Sequence, residues 1–177
     1  AFCIWSVNLG IQNDLFAHWL IRKHHPNAFI IFMGPAPTFN AEIFIPDNNT
    51  FVIRGEPEIS SAELVNALDK HSSLEDIKGV SYKKETTIVH NISRILLNDI
   101  DLLPFPARHL INKSYYHNPK LHISPYTAVI TSRNCPYKCI YCVPTSLSFA
   151  RELEFKRNEN KNPPIAKRRV ENILEEF

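Results

Sequence analysis

The run Ala28-Phe-Ile-Ile-Phe-Met33 constrains this 177-residue chain more than any other feature. Pro26-Asn27 turns the chain into it and Gly34-Pro35 ends it. Six apolar residues without a polar break suit a strand covered on both faces, the situation of a strand inside a parallel α/β sheet. The neighbouring segments support that reading. Phe2 to Val7 is strand-like. Asn13 or Asp14 can cap a helix through about Lys23, with Phe16, Trp19 and Leu20 as its expected apolar stripe. Phe51-Val-Ile-Arg54 is a second short strand, and Ser60-x-x-Glu63 reads as a capping box opening a helix toward Leu68. Arg54, Glu56 and Glu58 between them read as a solvated strand end and helix start. Val80 to Lys83 and Thr87 to Val89 read as a hairpin. Strand and helix patterns in alternation predict an α/β fold.

A composition of 44% hydrophobic and 11% aromatic residues is enough for a real core. With 20 basic against 18 acidic side chains, the net charge of +2 carries no electrostatic footprint of nucleic-acid or membrane-surface binding. No apolar run approaches the length of a membrane span. The opening Ala1-Phe-Cys-Ile-Trp5 has no basic n-region, no small-residue cleavage site and no initiator Met. An excerpt of a longer, cytoplasmic chain is expected.

Four cysteines are present, and three of them, Cys135, Cys139 and Cys142, form a C-x3-C-x2-C run. A disulfide framework would spread and pair its cysteines, whereas three thiols in eight residues resemble a ligand set. Two occupants fit the spacing. Zinc would need a fourth ligand, for which His109, His117 and His122 are candidates. A cubane iron–sulfur cluster would be held by the three thiolates and would leave one iron open. Cys3 lies in an apolar strand pattern and is expected to be a buried core thiol.

The wider stretch Tyr126-Thr-Ala-Val-Ile-Thr-Ser-Arg-Asn-Cys135-Pro-Tyr-Lys-Cys139-Ile-Tyr-Cys142 reads as a short apolar strand running into a ligand-bearing loop. Here the chain resembles the radical S-adenosylmethionine (SAM) superfamily, whose hallmark is C-x3-C-x-aromatic-C after the first strand of a partial (β/α) barrel. The Thr-Ser-Arg lead-in and the Cys-Pro-Tyr opening resemble the subgroup with an N-terminal cobalamin-binding domain. That subgroup often has Gly where Asn134 stands, and Asn tolerates positive φ better than most residues. The resemblance implies that Cys135, Cys139 and Cys142 hold a [4Fe–4S] cluster and that Tyr141 packs beside the SAM adenine.

Upstream, the strand ending at Gly34-Pro35, the segment Val52-Ile-Arg-Gly55-Glu-Pro-Glu58 and the link Asp101-Leu-Leu-Pro-Phe-Pro-Ala-Arg108 resemble the later part of the flavodoxin-like cobalamin domain of that subgroup. The implied fold is α/β: the C-terminal part of a flavodoxin-like parallel-sheet domain over residues 1–95, a linker over 96–122, and the start of a radical SAM barrel over 123–177. A ligand of the first domain is expected at the carboxyl ends of the strands, near Gly34 and Gly55. Two departures stand out. The D-x-H-x-x-G motif of domains that ligate cobalt through His is absent, and a Gly-Gly pair of the family is replaced by Gly34-Pro35. Val170, Ile173, Leu174 and Phe177 share one helical face, expected to pack on the outside of the barrel, and the family often has an Arg before this helix, matching Arg168 or Arg169.

By resemblance, SAM chelates the open iron, one electron cleaves its sulfonium C–S bond, and the resulting 5′-deoxyadenosyl radical takes hydrogen from an unreactive carbon. Cobalamin, methyl transfer, an electron donor such as flavodoxin or ferredoxin, and a small-molecule or peptide substrate are the further implied cofactors and partners. No side chain is singled out as a catalytic acid or base. The competing readings are a zinc- or cluster-stabilised binding module without catalysis, and an inert fragment. A sister family, the methylthiotransferases, carries three more cysteines upstream, where this chain has only Cys3.

Overall fold

Strands β1 (Phe2–Trp5), β2 (Ile30–Met33) and β3 (Thr50–Ile53) lie parallel and side by side in chain order. The computed structural model that shows this describes residues 1–120, 126–134, 160 and 164–177. Cys135, Cys139, Cys142, Tyr141 and His122 lie outside the described residues. The described chain forms two compact units, one within Ala1–Leu96 and one within residues 97–134 and 164–177.

In the first unit, β4 (Val80–Lys84) adds antiparallel to β3, and β5 (Thr87–His90) closes the expected hairpin through Glu85-Thr86. The result is a mixed five-stranded sheet with helices, an α/β fold. The run of three parallel strands in consecutive order is the arrangement at the 3-4-5 end of a flavodoxin-like sheet. The apolar run explains itself by alternation, because successive side chains of a strand point to opposite faces. Ile30, Phe32 and Val52 pack with Ala36, Ala41, Phe44 and Ile45 on one face. Ile31, Phe51 and Ile53 pack with Leu64, Ala67, Val80 and Tyr82 on the other. Each such fully buried side chain stabilises the fold by roughly 1.5–3 kcal/mol.

Helix α1 (Ile11–His24) covers the first face, and its orientation differs from the expected one. Phe16 and Trp19 are 58% and 53% exposed, stacked on one another with ring centroids 5.6 Å apart, and Lys23 sits over the Trp19 ring. The side that packs on the sheet is Ile11, Leu15, His18 and Ile21. That row also follows helical spacing, but its polar member, His18, disguises it in the sequence. Neither Asn13 nor Asp14 caps the helix; Gly10 stands at the N-cap, and Asp14 accepts a 2.5 Å hydrogen bond from the Ser6 hydroxyl.

Helix α2 (Pro35–Phe39) is short, and α3 (Pro57–Asp69) starts at Pro57 with Glu56 as N-cap, three residues before the expected capping box. Pro fits the first helical position because it lacks a donor that would be orphaned there. Ser60 is instead fully buried, donating to the Lys78 carbonyl at 2.8 Å and accepting from Arg94 Nε at 2.7 Å. Arg94 also pairs with Glu63, so these two residues hold a later segment of the chain and not a helix end. Glu56 is buried and the Arg54 guanidinium donates to the Asn91 carbonyl, so the expected solvated strand end is an interior one. Cys3 is exposed, not a core thiol: β1 has β2 as its one strand neighbour among the described residues, and only Ile4 of β1 packs with a core cluster.

At the amino ends of the strands, His18 Nε2 lies 3.0 Å from Thr50 Oγ1 and 3.2 Å from Asp47 Oδ2. Arg22 donates to both Asp47 oxygens and to the Pro26 and Ala28 carbonyls. Burial of His18 outweighs the attraction of Asp47 and lowers its pKa below the ordinary 6.5. Burial also opposes charge on Asp47, yet hydrogen bonds from Thr50, Asn49 and Arg22 lower its pKa overall.

The second unit is sparser. Strand β6 (Ser132–Arg133) pairs antiparallel with β7 (Ala166–Lys167), followed by α4 (Val170–Glu175), with 3-10 turns at Ile100–Leu102, Arg108–Leu110 and Lys113–Tyr115. Among the described residues, Ser132 and Arg133 of the expected strand from Tyr126 find a ladder partner. Of the expected packed face of α4, Val170, Leu174 and Phe177 are exposed and Ile173 is half-buried. Among the described residues no helix is long and apolar enough to cross a membrane.

A depressed His pKa means that the unfolded chain binds the extra proton more tightly. His18 therefore contributes stability that is present above pH 6.5 and is lost as pH falls below it toward the folded pKa. Urea midpoints measured between pH 8 and pH 5 are expected to decline, and His18→Gln is expected to flatten that decline.

Candidate functional site

The carboxyl ends of β1, β2 and β3 meet in one polar cluster. The Ser6 amide donates to the Met33 carbonyl at 2.9 Å, and the Ser6 carbonyl accepts from the Ala36 amide, which joins the end of β1 to the turn after β2. Gly34 forms that turn with φ +104, outside the range that L side chains favour. A Cβ at Gly34 would lie 2.8 Å from the Ser6 carbonyl oxygen and 3.1 Å from the Trp5 ring. Gly55 follows β3 with φ +79, and a Cβ there would meet nothing within 4 Å. Thr38 links the two glycines: its hydroxyl donates to the Gly34 carbonyl at 2.7 Å and accepts from the Gly55 amide at 3.1 Å. The structure thus brings Gly34 and Gly55 to one place. Thr38 was not singled out by the sequence, although a lone Thr directly after the Pro35-Ala36-Pro37 run is the available signal.

The two glycines differ in what they admit. The space beside Gly34 belongs to the protein's own Trp5 and Ser6, while Gly55, although buried, has no atom within 4 Å of where a Cβ would stand.

The second cluster stands where the chain meets its cysteines. Ser132 and Arg133 pair with Lys167 and Ala166, so the chain leaves for the cysteine segment and returns from it through one two-stranded base. Asn134, immediately before Cys135, has φ +72, the left-handed conformation for which Gly is the usual choice, and its amide donates to the Pro164 carbonyl. Two arginines brace this base. Arg108 donates to Thr127 Oγ1 at 2.9 Å and to the Ala128 carbonyl at 3.0 Å. Arg168 donates to the Ile130 carbonyl at 3.1 Å, and its own amide reaches the Thr131 carbonyl at 2.9 Å. Both guanidiniums pair with Glu176, whose side chain is 2% exposed. Burial opposes charge on Glu176, but hydrogen bonds from Arg168 and Arg108 prevail and lower its pKa. Asp101 accepts from Arg169 Nε at 2.7 Å and from the Arg169 amide, and those bonds lower its pKa too.

Among the described residues no group of three or more His, Cys, Asp or Glu side chains could hold a metal. His109 and His117, candidates for a fourth zinc ligand, are exposed in the second unit.

No model of a known protein family matches the chain. Two curated proteins are related to it in sequence. Over 134 residues, 75% of this chain and 28% of the relative, it is 35% identical to an uncharacterized methyltransferase of Pyrococcus horikoshii. Over 153 residues, 80% of this chain and 30% of the relative, it is 26% identical to an anaerobic magnesium-protoporphyrin IX monomethyl ester cyclase of Synechocystis. The chain therefore spans under a third of the length of these relatives. A solved structure, the cobalamin-dependent S-adenosylmethionine radical enzyme OxsB with aqua-cobalamin and S-adenosylmethionine bound, matches 53% of this chain and 14% of its own at 21% identity and a TM-score of 0.48.

The asymmetry of the two glycines is measurable. Gly34→Ala combines positive-φ strain of roughly 1–3 kcal/mol with a clash against backbone, whereas Gly55→Ala bears the strain alone. Urea denaturation is expected to rank Gly34→Ala as clearly the less stable variant.

Proposed function

We propose that this chain serves radical SAM chemistry, with Cys135, Cys139 and Cys142 holding a [4Fe–4S] cluster and Tyr141 flanking the SAM adenine. The observation that carries the reading is the C-x3-C-x-Tyr-C run itself, three thiolates in eight residues behind a Thr-Ser-Arg lead-in. Three supports stand beside it. The run sets out from a paired base at Arg133 and Ala166, which brings the two ends of the cysteine segment together. Asn134 holds the left-handed conformation that lets the chain turn directly before the first thiol. One relative is a methyltransferase by name, and the other is an anaerobic cyclase, a setting that suits a cluster with an oxygen-sensitive open iron.

When bound, the cluster supplies the one-electron reduction that opens radical chemistry on SAM. The chain's own contribution is to fix three thiolates, turn them toward one centre and keep water from it. In this reading the first unit takes a cobalamin at the carboxyl ends of β1 to β3, on the Gly55 side, where a Cβ would meet nothing within 4 Å while Gly34 is already covered by Trp5. Methyl transfer is the reaction proposed for such a pair of cofactors. The electron comes from a flavodoxin or ferredoxin, and the substrate is a small molecule or peptide.

Anaerobic reconstitution with iron and sulfide tests this. About four irons per chain are expected, lost in the Cys135/Cys139/Cys142→Ala variant, with an EPR signal of the reduced protein that shifts on adding SAM. Zinc retained in place of iron, with no cluster formed, would overturn the reading.

A further inference from the structure

We infer that the loop from His109 to Lys120, with Tyr126 beside it, is a docking surface for an acidic electron-donor protein of the flavodoxin or ferredoxin class. The inference rests on the function proposed above for the identity of the donor; the surface itself stands on sequence and geometry. The net charge of +2 conceals an uneven distribution. From Leu102 to Arg151 there is no Asp or Glu, whereas Arg108, Lys113, Lys120, Arg133, Lys138 and Arg151 are basic. All 18 acidic side chains lie outside that stretch, where they outnumber the basic ones. Every tyrosine except Tyr82 also falls inside it. A charge division of this kind steers an acidic partner toward one segment of the chain.

The described part of that segment is fastened at both ends. Arg108 holds the Thr127 hydroxyl and the Ala128 carbonyl, and the Tyr116 carbonyl accepts from the Tyr126 amide at 2.9 Å. Between these points the backbone is turned by its own polar groups. Asn112 Oδ1 accepts from the Ser114 amide at 3.1 Å, and the Tyr116 amide closes on the Lys113 carbonyl at 3.0 Å. Further on, Asn118 Oδ1 accepts from the Lys120 amide at 2.9 Å. A loop so tied still shows its apolar side chains to solvent. Leu110 and Tyr115 are 77% and 78% exposed, and Ile111, Tyr116 and Tyr126 are exposed as well. Lys113 and Lys120 are exposed in the same loop, and neither forms an ion pair among the described residues. Aromatic and aliphatic side chains with a cationic rim have the make-up of a protein interface. The aliphatic pair Leu110-Ile111 favours a protein face over a nucleic acid, whose bases use aromatic rings and whose phosphates use cations. Encounters between redox proteins are small and steered by charge, which suits one loop in place of a broad face. The loop belongs to the unit that also holds the β6–β7 ladder.

The experiment measures binding of an acidic flavodoxin and of an acidic ferredoxin to the chain by calorimetry, which needs no cluster. One of them is expected to bind, with an affinity that falls about tenfold between about 50 and about 200 mM salt. Tyr115→Ala is expected to weaken binding about tenfold, the scale of truncating an aromatic at an interface. The double variant Lys113→Glu/Lys120→Glu is expected to lose about tenfold as well, mainly through slower association. Lys70→Glu, an exposed change outside the acid-free stretch, is expected to bind as the wild type does, which separates a local surface from overall charge. All these positions are exposed, so unchanged urea midpoints are expected and show that the variants are folded. No binding of either donor, or wild-type binding by both Tyr115→Ala and the double variant, would overturn the surface. Two further results would do the same by giving the loop another occupant: tighter binding of a single-stranded RNA oligonucleotide, or self-association of the wild type that Tyr115→Ala abolishes. Iron counting after reconstitution runs in parallel. Donor binding without a cluster would keep the surface and sink the radical SAM reading; a cluster without donor binding would do the reverse.

Discussion

Strands β2 and β3 have apolar side chains on both faces, and such a strand is stable only between two layers. Most of the first unit's architecture follows from that requirement. A neighbouring parallel strand cannot be reached by a tight turn, so the chain must cross over, and the crossings supply the cover. Helix α1 and the turns around α2 close one face, and α3 closes the other. Because the three strands are parallel, their carboxyl ends fall at one edge, and the loops after them are free to carry polar chemistry. Thr38, Gly34, Gly55 and Ser6 gather there because the sheet puts them there. At the opposite edge the His18, Arg22, Asp47 and Thr50 network joins α1 to the loop ahead of β3, a polar fastening where no apolar side chain could reach the open carbonyls.

The second unit is organised on another principle. It has little apolar interior, and charged side chains connect its pieces. Glu176 and Asp101 each accept from arginines and are nearly enclosed, so the unit's order depends on ion pairs with hydrogen-bonded geometry more than on area removed from water. Such pairs favour one arrangement over others without adding much net stability, since desolvation offsets a large part of the attraction.

Much of the first unit was legible in the residues. The run from Ala28 to Met33, the short strand at Phe51 and the hairpin at Val80 each carry a period that matches their final environment. The misreadings share a cause. Phe16, Trp19 and Leu20 are the more apolar row of α1, yet the helix turns Ile11, Leu15 and His18 inward, because His18 is satisfied by Asp47 and Thr50, residues some thirty positions away. Ser60 and Glu63 have the spacing of a capping box, but Arg94 claims both and Pro57 starts the helix first. Cys3 looked like core because the strand pattern around it is apolar, and a pattern does not tell a central strand from an edge one. For the candidate site, Gly34, Gly55 and Asn134 were visible as residues suited to unusual backbone. Thr38 and Glu176 were not, since a single polar residue acquires its meaning only from partners that the fold supplies.

The pairing of β6 with β7 has a consequence for any ligand of the three thiols. Joining two chain positions some thirty residues apart costs roughly 3 kcal/mol of chain entropy by polymer closure. Here Ser132 is tied to Lys167 and Arg133 to Ala166 by the fold itself, so that cost is met during folding and is not left to whatever binds between them.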